Sequence, residues 1–234
     1  MTLAEGVRVV EEALAANVAI QGAIVSPTLA QTPRGAALLA TLGARAVPVE
    51  ELAEGAFREL ADTDTPQGVI AVIEPPRWSL ADIRVGPGAP VLVLDAVQDP
   101  GNVGTLLRTA LALGAAGVVL LKGTADLANP KVVRGAMGAS FRLPAVTAEE
   151  PELAAWVQRE RLTLWAAAAD GAPLTRAAAP ERLALVVGNE GAGVSPALRA
   201  LAHQQVAIPL ARGAESLNVA VAAGILLYEA RRGR

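Results

Sequence analysis

The chain has 234 residues, a formal net charge of −3, 53% hydrophobic residues and only 3% aromatic ones. A sizeable core can therefore form, but extended aromatic platforms for stacking bases cannot. There is no cysteine and a single histidine, His203, which excludes disulfides, Cys/His zinc sites, a thiol nucleophile and any two-histidine metal site.

The start of the chain lacks the basic, apolar, small-residue order of a secretory signal, and no apolar run is long enough to span a bilayer, so a cytoplasmic protein is expected. In chain order, Val7, Val9, Val10 and Leu14 mark a helix. An apolar run over 19–25, a second helix around 34–42 and a strand over 68–73 follow. This reads as a small α/β unit. Between Glu74 and Pro90 stand Pro75, Pro76, Gly86, Pro87 and Gly88, breakers that suit a linker between domains. Two domains are expected, 1–85 and 86–234.

Beyond Pro90, strand-length apolar runs over 91–97, 117–121, 143–146, 163–168, 183–187 and 206–210 alternate with helical stretches over 103–113, 130–137, 152–161 and 196–202. Runs apolar on both faces, alternating with helices, predict a parallel sheet with helices on both sides, and ligand-binding loops at the carboxyl ends of its strands.

Three such loops carry polar residues out of keeping with plain turns. In the first, Asp99, Pro100, Gly101 and Asn102 lead into a helix. Asn102 reads as its N-cap, and alone is more readily a cap than a reacting group. Arg108 follows among Leu106, Leu107, Ala110 and Leu111, where a guanidinium needs anionic or carbonyl partners, a ribose or phosphate of a ligand among them. The second loop, Gly188, Asn189, Glu190, Gly191, Ala192, Gly193, lets backbone approach a ligand closely. It bears an acid and no lysine, so it suits a ligand with donors or positive charge, and not a triphosphate. The third runs from Ile208 and Leu210 through Glu215, Ser216, Leu217 and Asn218 into a nearly all-apolar helix. Ser216 reads as that helix's cap with Asn218 in its first turn, and the helix must be buried in the core or against a second subunit. Basic residues group at Lys131, Arg134 and Arg142, and at Arg231, Arg232 and Arg234. Each group reads either as a solvated face or as an RNA phosphate patch.

Taken together, Asn102-x-Gly104-x-x-x-Arg108, the loop from Gly188 through Glu190 to Gly193, and the stretch from Ile208 through Ser216 and Leu217 to Asn218 resemble the three ordered motifs of the SpoU/TrmH family of RNA 2′-O-ribose methyltransferases. The stretch from Thr65 to Ala71 resembles the end of that family's substrate-binding domain. The resemblance implies a SPOUT α/β domain with a C-terminal trefoil knot, preceded by a small L30e-like α/β domain that grips RNA. It further implies a homodimer, S-adenosylmethionine (AdoMet) as cofactor, no required metal, and methyl transfer to a ribose 2′-hydroxyl in structured RNA, ribosomal in preference to transfer RNA. By motif match, AdoMet would lie against Gly188, Asn189, Glu190, Gly191, Ile208, Leu210, Ser216, Leu217 and Asn218. Asn102, Arg108, Glu190, Ser216 and Asn218 would form the reacting side, and Arg108 with Lys131, Arg134 and Arg142 would meet the RNA.

Relatives usually carry a basic lead and a first strand before the stretch matching residues 3–8, and that lead is expected to be missing here. A guanidinium is a permanent cation, so Arg108 is expected to position the hydroxyl and a neighbouring phosphate more than to act as a base. The alternative is a non-catalytic RNA-binding or ribosome-assembly protein on the same scaffold.

Overall fold

The computed structural model describes residues 1–174, 179–214 and 216–232. Glu215 and Arg234, both named above, lie outside the described residues. The first 74 residues build a four-stranded sheet in the order β1-β4-β2-β3, from β1 (Thr2–Glu5), β2 (Ala19–Val25), β3 (Val49–Glu51) and β4 (Val69–Glu74). β4 runs antiparallel to both neighbours, and β3 parallel to β2. Helix α1 (Val7–Ala15) buries Val7, Val10 and Leu14 on one stripe, the spacing that the sequence showed. Helix α2 (Pro33–Ala44) starts where Thr32 accepts a hydrogen bond from the Gly35 amide and Pro33 takes the first helical position.

β1, which no apolar run announced, pairs with β4 over four residues, Thr2–Glu5. β3 and α3 (Glu54–Leu60) gave no pattern to read. The three residues of β3 are exposed and α3 buries only Phe57, so neither has an apolar stripe of its own.

The second sheet has six strands in the order β10-β8-β9-β5-β6-β7. They are β5 (Val91–Asp95), β6 (Gly117–Leu120), β7 (Ala145–Thr147), β8 (Thr163–Pro173), β9 (Leu183–Gly188) and β10 (Gln204–Ala207), all parallel. Every residue of β5 is buried, as a central strand covered on both faces requires. One face packs on α4 (Pro100–Ala112), α5 (Pro130–Ala136) and α8 (Val219–Arg232). The other packs on α6 (Glu150–Arg159) and α7 (Pro196–Leu201), with Leu80 and Ile83 of the linker. β10 ends earlier and β8 runs later than their apolar runs suggested.

Helix α5 joins the two halves. Its Val133, with Phe141 just beyond it, belongs to the hydrophobic core of the first sheet. Against α4 it packs backbone to backbone, since a Cβ on Gly104 would stand 2.8 Å from the backbone of Gly135. The middle group of cations, Lys131, Arg134 and Arg142, each find an acid on the first half. Arg134 pairs with Glu5 at 3.3 Å and Asp62 at 3.0 Å, Lys131 lies 3.8 Å from Asp62, and Arg142 pairs with Glu12. Among the described residues, no helix is long and apolar enough to cross a membrane.

Candidate active site

The carboxyl ends of β5 and β9 and the amino end of α8 converge on one side-chain chain. Asp99, not Asn102, caps α4: its Oδ1 accepts the Asn102 amide at 2.7 Å, and Pro100 fills the first helical position. In an Asp-Pro-Gly-Asn run the proline decides between two eligible caps, because its fixed φ suits the first helical residue and its missing N–H costs nothing there. Asn102 thus sits in the first turn with its side chain free to act elsewhere.

Asn218, not Ser216, caps α8. Its Oδ1 accepts from the amides of Ala220 at 2.9 Å and Val221 at 3.3 Å. With that oxygen committed, its Nδ2 faces outward and donates to Asn102 Oδ1 at 2.9 Å. Asn102 Nδ2 in turn donates to Glu190 Oε1 at 2.9 Å. The backbone amides of α8 therefore fix the orientation of both asparagine side chains, and the relay ends on a carboxylate, which only accepts. These partners are 116 and 88 residues apart in sequence.

Asn218→Asp is expected to keep the cap, since aspartate caps as well as asparagine, while losing the donor to Asn102. Thermal stability should stay within about 0.5 kcal/mol of wild type, and RNA methylation should fall about tenfold or more. A loss of stability with unchanged turnover would contradict this separation of roles.

The glycine loop is held by a residue that the sequence reading gave only as a cofactor contact. Asn189 donates to the Ala96 carbonyl at 3.0 Å and accepts from the amides of Gly191 at 2.9 Å and Ala192 at 3.0 Å. Buried Asp95 accepts the Ser195 amide at 2.7 Å. Its position at the end of a fully apolar strand was the signal that could have found it. Gly188 is packed so closely that a Cβ would stand 2.2 Å from the Gly193 backbone.

Behind the relay lies a cavity of about 490 Å³. Of the expected cofactor contacts, Gly188, Asn189, Glu190, Gly191, Ile208, Leu210, Ser216 and Leu217 line it, whereas Asn218 stands in the relay at its mouth. The walls are backbone and aliphatic side chains with few polar groups, the common anatomy of a small-molecule site. Two further lining residues went unread in the sequence, Asp170 and Arg199, joined by hydrogen bonds of 2.8 and 2.9 Å.

Arg108 is exposed, and among the described residues it makes no hydrogen bond or ion pair. It shares an outward stripe of α4 with Gly101 and Thr105, so the expected partner within an apolar face is not needed. Lys131, Arg134 and Arg142 stand apart from the relay in the ion pairs described above. Among the described residues no group of three metal-ligating side chains occurs.

Residues 89–228 match the SpoU rRNA methylase family model, and residues 3–79 match the model for RNA 2′-O-ribose methyltransferase substrate binding. The chain is 45% identical over 181 residues to the 23S rRNA (guanosine(2553)-2′-O)-methyltransferase RlmP of Bacillus subtilis, covering 77% of this chain and 71% of that protein. To the 23S rRNA (uridine(2479)-2′-O)-methyltransferase of Streptomyces viridochromogenes it is 37% identical over 185 residues, 73% of this chain and 62% of the relative. Its structure resembles that of the SpoU methyltransferase AviRb from Streptomyces viridochromogenes in complex with AdoMet, with a TM-score of 0.85 and 33% identity, over 98% of this chain and 89% of the other. An AdoMet-bound rRNA methyltransferase from Sinorhizobium meliloti gives a TM-score of 0.85 at 34% identity, over 99% and 87%. With both family models matched in order and the three loops assembled in space, the chain belongs to the SpoU methylase family.

Proposed function

We propose that the protein transfers a methyl group from AdoMet to a ribose 2′-hydroxyl of 23S-type ribosomal RNA. The observation that carries this reading is the oriented relay from Asn218 through Asn102 to Glu190 at the mouth of an apolar, glycine-walled cavity. The relatives named as 23S rRNA 2′-O-methyltransferases favour ribosomal over transfer RNA.

The cavity suits AdoMet in chemistry as well as size. Gly188 and Gly193 bring backbone groups close to a ligand, Ile208, Leu210 and Leu217 offer aliphatic contact, and the charged residues described in the wall are two acids, Asp170 and Glu190, against one cation, Arg199. That balance matches a ligand with a positive sulfonium. When bound, AdoMet supplies a methyl group already activated by that charge. What remains for the protein is alignment of the ribose oxygen and handling of its proton. Arg108, an unneutralised cation beside the relay's helix turn, grips the phosphate and ribose. Asn102 and Glu190 offer an amide and a carboxylate at the reacting side, and Ser216 fixes the ligand from the cavity wall.

The division at residues 85 and 86 separates the RNA-gripping unit, read as L30e-like, from the catalytic SPOUT unit with its C-terminal knot; the family resemblance supports both fold names. The active form is a homodimer. Val221, Ile225 and Tyr228 on α8, exposed at 52, 38 and 55%, and Leu111 on α4 at 36% leave an apolar surface that a second copy would cover. Light scattering at micromolar concentration should give twice 23.8 kDa, and Tyr228→Glu should shift the mass to the monomer. A monomeric wild type would remove the dimer. A ribosomal substrate places the reaction in the cytoplasm.

The test is methylation of 23S rRNA and of tRNA with AdoMet labelled in its methyl group, followed by alkaline hydrolysis. Label in alkali-resistant dinucleotides from 23S rRNA supports the reading, because only a 2′-O-methyl ribose blocks cleavage. Label in a base, or none at all, contradicts it.

A further inference from the structure

A second cleft opens beside the reacting turn of α4. It encloses about 700 Å³ between β1, the end of α3, and the first turns of α4 and α5. On one side stand Pro100, Gly101 and Thr105, neighbours of Asn102; on the other stand Leu3 and Leu60. Those two leucines are 41 and 54% exposed although they sit in a recess. They form an apolar shelf that nothing among the described residues covers.

The charged groups around the shelf already have partners. Arg134 is taken by Glu5 and Asp62, Lys131 by Asp62, and Asp99 by the Asn102 amide. Three carboxylates against two cations leave no net positive charge for a phosphate. What the cleft does offer is apolar surface, carboxylate oxygens able to accept further hydrogen bonds, and the side-chain amide of Asn129, whose oxygen is occupied by the Lys131 amide at 2.9 Å. A flat, uncharged group with hydrogen-bonding edges fits this set. Arg108, without a hydrogen bond or ion pair among the described residues, stands one helical turn beyond Thr105 on the same outward stripe of α4, a cation for the attached phosphate.

We infer that this cleft seats a nucleobase of the substrate RNA adjoining the ribose that is methylated, with Leu3 and Leu60 as the shelf under its face. The inference rests on the RNA methyltransferase reading and adds to it a place where base identity is sensed. It also gives the ion pairs of Lys131 and Arg134 a use other than direct phosphate binding: they tie α5, which packs on α4, to the half that carries the shelf, and leave the recess without free positive charge.

Because both leucines are exposed, the double variant Leu3→Ala, Leu60→Ala should fold as wild type. With methyl-labelled AdoMet and purified 23S rRNA, its KM for RNA should rise about tenfold or more, while AdoMet affinity by calorimetry stays unchanged. Leu60→Lys separates a base from a phosphate: over a base it should raise KM, over a phosphate it would lower it. An unaltered KM in the double variant, or a lowered KM in Leu60→Lys, overturns the inference while wild-type activity leaves the methyltransferase reading standing. A wild type that methylates no 23S rRNA overturns both together.

Discussion

Arg108→Lys is expected to lower kcat/KM for RNA methylation by about 100-fold, with AdoMet affinity and thermal stability unchanged. The side chain is exposed and bonded to nothing among the described residues, so no folded-state contact is lost. It does not line the cavity assigned to AdoMet, which leaves cofactor binding intact. What changes is geometry: lysine keeps the charge but replaces a planar five-donor fork with a point cation, which cannot hold a phosphate oxygen and a ribose oxygen in fixed relation. Loss of one such aligned donor in enzymes commonly costs about 100- to 1,000-fold. Single-turnover rates at saturating RNA, beside calorimetric AdoMet binding, check it. A variant within about twofold of wild type would take Arg108 out of the chemistry.

Gly188→Ala is expected to weaken AdoMet binding by about 100-fold or abolish it. The new methyl group would stand 2.2 Å from the carbonyl carbon and oxygen of Gly193, a distance that only backbone movement can relieve. That movement breaks the pair of hydrogen bonds between Asn189 and Gly193, of 3.1 and 2.9 Å, and with it the seat of Glu190. Gly191→Ala is the matched control. Its added methyl group would come no nearer than 3.6 Å to the Asn189 side chain, so it should bind AdoMet nearly as wild type. Equal behaviour of the two variants in calorimetry would contradict a wall role specific to Gly188.

The parts of the site legible in the sequence are those in which one residue type has one good reason to be there. Glycines at 188, 191 and 193, an acid among them, and amides placed after apolar strands announced the three loops, and helix and strand periods placed the large elements that carry them. The caps were misplaced because Asp99 and Asn102, like Ser216 and Asn218, are pairs of residues equally able to cap, and only backbone geometry decides between them. The middle cations stood out in the sequence, but their ion pairs were unreadable: Arg134 finds Glu5 across 129 residues and Arg142 finds Glu12 across 130. No local pattern encodes such a pairing. Asp170 and Arg199 were missed for the same reason, one in the later part of a strand and the other on a short helix, joined only in the fold. β1 and α3, too short to show a period, supply the two leucines of the second cleft.

The central claim is that the glycine-walled cavity holds AdoMet. Calorimetric titration of the purified protein with AdoMet, beside ATP and NAD, tests it most directly. Binding of AdoMet alone, lost in Gly188→Ala and kept in Arg108→Lys, is the predicted result. A folded wild type that binds none of the three would contradict the claim and leave a non-catalytic RNA-binding protein on a methyltransferase scaffold.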